Sequence, residues 1–484
     1  MEASAYIKLL ETTVRELTTR CDELVAIVEK QAAEITVLKA KIVELEARLN
    51  KNSSNSHKPP SLDSFKSNRS LRTSTGRASG GQPGHAGKTL EQAENPNYIV
   101  THTMDQCSSC GHSLEKVKAK TIEKRQVFDI PKPEIEVTEH QVEIKKCPHC
   151  HAMNKGVFPA EVKARVQYGK GVLSLGAYLS FYQLVPRARL KEFFQDYAGL
   201  SISSATVARV GKWLYGNLQI FEAGLKKALN SGAIIHGDET GSKINKKIHW
   251  LHVASTEKLT LYGTHKKRGI EGIKALGVYE NFQGKAIHDG WKSYEQLTAE
   301  HGLCNAHHLR ELKGIEEDYQ EKWAPKMSTL LQAALKEVEK HREEGKMELP
   351  QSRIGAIEQE YQCILEEGFA EHAAIPSVPS LTKKRGRKKQ SKGKNLLDRL
   401  RDHQAETLLF VRDFKIPFTN NQAERDLRMM KGKQKISGTF RSQEGALFFD
   451  RVRSYISTAK KQGWNIMEAL ETAIQGQPFL CNAS

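Results

Sequence analysis

The run AIIHGDETG at positions 233–241 decides how the central part of this chain folds. Its opening residues are apolar and β-branched, a glycine follows, and two acids, Asp238 and Glu239, then arrive side by side. Such a pattern predicts a short buried strand ending in carboxylates, because branched side chains suit a pleated surface and strand ends of an open α/β sheet display functional groups. KKIHWLHVAS (246–255) and KLTLYGTH (258–265) read as two further strands in meander order, and AIHDGWKSY (286–294) places Asp289 at the end of another. Two acids on neighbouring strands could share divalent ions. Acids after strands are also ordinary turn residues, and Glu239 rivals Asp238 for the first metal position.

Towards the C-terminus, residues 305–372 read as a long helical region, followed by Pro376, Pro379 and the basic run KKRGRKKQSKGK at 383–394. Lys383, Lys384, Arg385, Arg387 and Lys388 in that run suit the phosphate backbone of DNA. Residues 396–414 read as helix again, closed by Pro417. The segment PFTNNQAERDLRMMKGKQKISGTFRS (417–442) then holds a single glutamate among many cations. Asn421 and Glu424 have the spacing of a capping box, but Thr419 and Gln422 offer the same device earlier, which leaves Glu424 available for chemistry. Ala423, Leu427 and Met430 form an apolar stripe suited to packing on a sheet, with Glu424, Arg428 and Lys431 on the adjacent stripe. Gly432 is expected to end the helix, and a basic loop with Arg441 follows.

Towards the N-terminus, residues 170–230 read as helical. RARLKEFFQDYAGLSISSATVARVGKWLYGNL (187–218) has the form of a helix-turn-helix, with a turn at Gly199 and an N-cap at Ser203 or Ser204. Its second helix would turn Thr206, Arg209 and Lys212 towards a major groove. Before it stand Cys107-Ser-Ser-Cys110 and Cys147-Pro-His-Cys150, with strand-like runs KRQVFDI and EIEVTEHQVEI between them. Four thiolates in two such knuckles suit tetrahedral Zn²⁺, with redox dithiols as the alternative and His112, His149 and His151 as spare nitrogen donors. Residues 50–95 read as a basic, flexible linker.

Residues 7–49 repeat in heptads, with Ile7, Val14, Cys21, Val28, Ile35, Ile42 and Leu49 on one seam position. Leu10, Leu17, Leu24, Gln31, Leu38 and Leu45 occupy the other. β-branched residues at the first position with leucine at the second favour a parallel two-stranded coiled coil, hence a homodimer; a helix docked on its own domain is the alternative. The formal charge of +17 points to a polyanionic partner, nucleic acid before membrane. Neither a transmembrane span nor a signal peptide is expected, which suggests a cytoplasmic, nucleoid-associated protein.

The segments KNSSNSHKPPS (51–61), GGQPGHAGKTL (80–90), the paired knuckles, HGDETG (236–241), HDGWKSY (288–294), CNAHHLREL (304–312) and 417–442 occur in one order. In that order they resemble the transposases of the insertion sequence 66 family over nearly the whole chain. The resemblance implies a multidomain α+β protein. Its parts would be a coiled-coil dimerisation helix (1–49), a linker (50–95), a zinc module (96–160) and a helical DNA-binding region (161–230). An RNase H-like catalytic domain would follow in two parts (231–304 and 396–470), separated by a helical insertion with the basic run (305–395), with a tail at 471–484. Asp238, Asp289 and Glu424 take the places of the catalytic acids, holding Mg²⁺ or Mn²⁺, with DNA cleavage and strand transfer as the activity. Terminal inverted repeats and target DNA are the implied partners, with accessory element-encoded proteins in many members. HDGWKSY departs from the form common in the family, which leaves Trp291 without a role other than core aromatic. Cys304-x-x-His307 resembles a signature that follows the second acid in several transposase groups. A non-catalytic, zinc-containing dimeric regulator and a structure-selective nuclease of the same fold are the competing readings.

Overall fold

The computed structural model describes residues 2–56, 90–131, 133–373 and 390–481; Lys383, Lys384, Arg385, Arg387, Lys388 and most of the expected linker lie outside them. A long helix, α1 (Glu2–Leu49), precedes the knuckles, and the short strands β1 (Ile144–Lys146) and β2 (Met153–Lys155) form an antiparallel pair. A helical block follows: α2 (Lys170–Ala177), a π-helical turn at Tyr178–Tyr182, α3 (Arg187–Ala198), α4 (Ser204–Asn217) and α5 (Gln219–Asn230). The central sheet contains β3 (Ile234–Ile244), β4 (Lys247–Ser255), β5 (Thr260–His265), β6 (Lys285–His288) and β7 (Glu300–Leu303), with α6 (Ile270–Lys274) between β5 and β6. Beyond it come α7 (Asn305–Tyr319), α8 (Trp323–Glu343), α9 (Gln351–Ala373), α10 (Lys392–Asp402) and the single turns α11 (Gln404–Thr407) and α12 (Leu409–Arg412). The described chain closes with α13 (Asn421–Ser437), α14 (Gln443–Lys461) and α15 (Ile466–Ile474).

This is a mixed α/β architecture. The sheet order is β5-β4-β3-β6-β7, with β3, β4 and β5 antiparallel and β6 and β7 running parallel to β3. One core lies between the sheet and α13, α14 and α15, where Ala423, Leu427 and Met430 are buried as the apolar stripe predicts. A second core belongs to α7–α10, around Leu312, Trp323, Leu331, Tyr361 and Leu397, and reaches the sheet through Ile287 of β6.

The free edge of β5 is covered by a helix rather than by another strand. Thr260, Thr264 and Tyr262 donate their backbone N–H groups to Thr458 Oγ1 (3.1 Å), Asp450 Oδ2 (2.8 Å) and Ser454 Oγ (2.9 Å) of α14. The match is geometric: four residues of helix rise about 6 Å, close to the roughly 6.8 Å spanned by two residues of antiparallel strand. Every second N–H of the edge therefore meets every fourth side chain of α14, which satisfies donors that would otherwise invite another chain.

Three sequence expectations change. β3 does not stop at the acids but continues to Ile244, because β4 pairs with it over its full polar end. The runs KRQVFDI and EIEVTEHQVEI are not strands apart from the terminal Ile144; the hairpin wraps the second knuckle instead of separating the two. Helix α13 passes through Gly432 and ends five residues later, at Ser437, because Gly438 takes the positive φ of +68° that terminates it.

Burial pushes the Asp450 carboxyl up to about 7, only partly offset by its hydrogen bonding to Thr264. The native state then holds a proton that the unfolded chain releases near pH 4, so this group's contribution to stability falls as pH rises from about 4 to 7 and is flat above. Asp450→Asn should remove that slope; urea midpoints at acidic and alkaline pH, compared between the two proteins, will differ less in the variant.

Candidate active site

Strand register brings the two aspartates together. His236 of β3 stands opposite Ile287 of β6 in a parallel pairing, and Asp238 and Asp289 each follow two residues later. β6 ends at His288 whereas β3 continues, so Asp238 projects where its parallel neighbour has stopped. Burial, then the charges of Glu239, Asp289 and Glu424, push the Asp238 carboxyl well above the usual carboxylate range. All three predicted acids thus influence one another's charge at Asp238, while among the described residues their oxygens are not all drawn within 4.8 Å of one another. Asp238 Oδ1 accepts the Glu239 N–H at 2.7 Å, and Asp289 Oδ1 accepts the Trp291 N–H at 2.9 Å.

Glu424 reaches this neighbourhood because α13 packs across β3 and β4. Neither expected capping box forms. The N-cap residue is Asn420, without a side-chain cap, and Gln422 donates to Asp426 Oδ2 at 3.1 Å instead of reaching back to Thr419. The Asn420 side chain is engaged elsewhere: its Nδ2 donates to the Gly237 carbonyl (2.8 Å) and its Oδ1 meets His236 Nδ1 (2.9 Å). Its own N–H donates to Cys304 Sγ at 3.1 Å. Burial pushes the Cys304 thiol up to about 11, which favours the protonated sulfur as an acceptor at this joint.

Cys304, His307 and Glu424 offer donor atoms that all lie within 4.8 Å of one another, so the Cys-x-x-His pair has the third acid as its neighbour. Glu424 Oε1 lies 3.6 Å from Arg310 Nη2 and 3.9 Å from His307 Nε2, and it is buried without a hydrogen-bond partner among the described residues. Sequence reading missed Asn420 and Arg310. The signal for Arg310 was its spacing: three residues after His307 on a helix puts both on one face.

Glu239 points the other way. Gly237 and Glu239 share the face of β3 opposite to Asp238, as strand alternation requires. A Cβ at Gly237 would stand 2.8 Å from the Tyr294 ring and 2.9 Å from the Tyr279 hydroxyl, which is why glycine is needed beside the acids. Glu239 Oε1 accepts from Arg268 Nε at 2.7 Å, and Tyr294 donates its hydroxyl to Oε2 at 3.3 Å. Burial and the Asp289 charge raise the Glu239 carboxyl, against the opposing pull of Arg268. Glu239 thus has a cation of its own.

Of the expected DNA-facing residues, Arg209, Lys212, Arg428, Lys431 and Arg441 are exposed. Ser203 caps α4, with its hydroxyl accepting the Thr206 N–H at 3.0 Å. Thr206 is itself buried, so it does not face a groove; its hydroxyl is drawn to Ser203 as part of the cap.

The two knuckles share one construction. Cys107 and Cys147 each donate N–H to the residue five further on, His112 (2.8 Å) and Ala152 (2.9 Å), and each accepts at its carbonyl from Gly111 or His151 (2.9 Å). Gln106 pairs with Ser113 as Lys146 pairs with Met153. Hydrogen bonds from the backbone of Ser109 and Cys110 lower the Cys107 thiol, and those from Cys150 and His149 lower Cys147. Such thiolate-favouring turns fit zinc. Among the described residues, however, the four sulfurs are not drawn into a single shell; each knuckle stands as a separate pair. His151 takes a left-handed φ of 59° at the place where Gly111 has 72°. His151→Gly should therefore leave the zinc content per chain unchanged and relieve about 1 kcal/mol of backbone strain; zinc lost from this variant would make His151 a ligand.

Residues 165–447 match the Transposase IS66 family, and residues 105–151 match the zinc-finger binding domain of transposase IS66. Residues 8–91 match a family of unknown function (DUF6444). No curated protein matches the chain. The first match covers more than half of the sequence and includes the sheet, the insertion and α13; the chain belongs to the Transposase IS66 family.

Proposed function

We propose that the chain is a metal-dependent DNA transposase of the Asp-Asp-Glu type, cutting and joining DNA at the ends of an insertion sequence. One observation carries this reading: Asp238 and Asp289 each follow by two residues the last paired position, His236 opposite Ile287, of adjacent parallel strands, and the helix-borne Glu424 adds its charge to theirs at Asp238. The sheet order, three antiparallel strands followed by two parallel ones, is what an RNase H-like catalytic domain requires.

The donor set fits a hard divalent cation. The three acids offer only oxygen donors, negative charge is in excess around Asp238, and the buried Glu424 Oε1 has no hydrogen-bond partner among the described residues. Asp238, Asp289 and Glu424 would hold Mg²⁺ or Mn²⁺. When bound, a pair of such ions supplies activation of a water or a 3′-hydroxyl and neutralises the leaving oxygen of the phosphodiester. Arg310 and His307 stand 3.6 and 3.9 Å from Glu424 Oε1 and would steady that side chain by charge. Arg428, Lys431 and Arg441 are exposed and would bind flanking phosphates; the basic run at 383–388, which lies outside the described residues, has the composition to do the same.

The remaining parts select the DNA. α3 and α4 would read terminal inverted repeats as a helix-turn-helix through Arg209 and Lys212, supported by the zinc knuckles. In α1 the seam hydrophobics stand open, from 45% exposed at Leu45 to 84% at Leu49, while Ala47 near its C-terminal end is buried. Asn55, just beyond, donates to Glu317 of α7 at 3.2 Å. The helix is thus moored at one end and presents its apolar seam for a parallel coiled coil with a second copy.

Purified protein incubated with labelled element ends and Mg²⁺ tests the reading. Asp238→Asn, Asp289→Asn and Glu424→Gln should each lower strand cleavage and joining at least about a hundredfold, with end binding retained. Unchanged cutting by any of them removes that residue from the triad. Deleting residues 1–49 should give monomers in sedimentation; a truncated chain that still dimerises moves the dimer contact elsewhere.

A further inference from the structure

Trp291 is not the core aromatic that its sequence suggests. It directly follows Asp289-Gly290, its backbone N–H donates to the Asp289 carboxylate at 2.9 Å, and the residue is 38% exposed. An exposed indole beside three acids loses apolar burial unless its surface is used. One face already has a partner: the Arg268 guanidinium lies 4.0 Å from the Trp291 ring centroid and 5.0 Å from that of Trp250. Arg268 is in turn fixed by its 2.7 Å bond to the buried Glu239, so the indole rests on a cation that cannot swing away. Gly290, with φ of +83°, provides the bend that turns the chain from the strand-end acid to this ring.

We propose that Trp291, propped by Arg268, is a stacking platform for an unpaired nucleobase next to the phosphate being cut or joined. Stacking on an indole needs only a π-face, so the platform accepts any base, and an arginine behind the ring adds rigidity and cation–π attraction. In intact duplex every base is already stacked, so the platform favours DNA whose end carries an unpaired nucleotide, as a cleaved or frayed end does. The backbone N–H of Trp291, held by Asp289 Oδ1, fixes where the chain carrying the platform stands relative to that carboxylate. The inference rests on the DNA-cutting reading above and names the strand form that the site takes.

The test compares affinities of the full chain for a short blunt duplex and for the same duplex with a single-stranded 3′ overhang, without divalent metal so that no cutting intervenes. The wild-type protein should prefer the overhang, and Trp291→Ala should lose roughly 5- to 150-fold of that preference while its affinity for blunt duplex is unchanged. Trp291→Phe should retain most of the preference. No overhang preference in the wild-type protein, or a preference undiminished in Trp291→Ala, overturns the platform. Failure to bind either DNA overturns the DNA-cutting reading itself, which separates the two failures.

Discussion

The structure depends on what Asn420 does with its buried amide. Its side chain bridges to the Gly237 carbonyl and to His236, and its backbone N–H binds the Cys304 sulfur. One residue therefore joins β3, the β7–α7 junction and the start of α13. Each bond is shielded from water, where an unmet partner costs about 1–3 kcal/mol, so the joint is hard to slip by one residue in any direction. Glu424 lies one helical turn along from this joint and inherits its register. His236 and Gly237 immediately precede Asp238, and Cys304 begins the turn that carries His307 and Arg310. Asp238, Glu424, His307 and Arg310 are all within a few residues of one buried knot, and Asp289 follows His288, whose carbonyl accepts the Cys304 N–H at 2.9 Å.

That knot also accounts for how a long helical excursion between the second and third acids is tolerated. α7–α10 have a core made mostly of their own residues, which takes from the sheet only Ile287 and the flank of Ile234 among the described residues. The ends of the excursion are stapled together: Asn305 donates its N–H to the Phe418 carbonyl and its Nδ2 to the Thr407 carbonyl, both at 3.0 Å. Lys285, at the start of β6, reaches Asp413 at 2.8 Å. Closing a longer loop costs only about 0.6 kcal/mol per doubling of its length, and these bonds fix the exit beside the entry. α13 thus meets β3 in the same way whatever lies between.

Much of this was legible in the sequence, because period and chemistry coincide. The strands, the acids at 238 and 289, the helical nature of 305–372 and the stripe of Ala423, Leu427 and Met430 follow from alternation and helical spacing. What misled was local chemistry overridden by distant partners. Thr419 and Gln422 have capping spacing, but the helix start is fixed by Asn420 through bonds to residues 116 to 184 positions away. Gly432 looks like a stop, yet a glycine ends a helix only where its φ turns positive, and that occurs at Gly438. KRQVFDI and EIEVTEHQVEI have strand composition but find no ladder. Asp450, Ser454 and Thr458 gave no sign that they would cover a strand edge, since the pattern matters only once β5 lies beside α14.

The adjacent acids Asp238 and Glu239 show how the site divides labour without any change of residue type. Alternation sends them to opposite faces of β3. Glu239 finds Arg268 and the Tyr294 hydroxyl within its burial, so its charge has a counterpart inside the protein. Asp238 accepts a backbone N–H, and burial with the charges of Glu239, Asp289 and Glu424 drives its carboxyl well above the ordinary range. A buried carboxylate surrounded by like charge is unfavourable for folding, and a fold tolerates it where something outside the chain restores the balance. The one carboxylate is matched by the protein and the other is left unmatched, on the face that α13 crosses with Glu424. That asymmetry, rather than the mere presence of three acids, is what distinguishes Asp238 from Glu239.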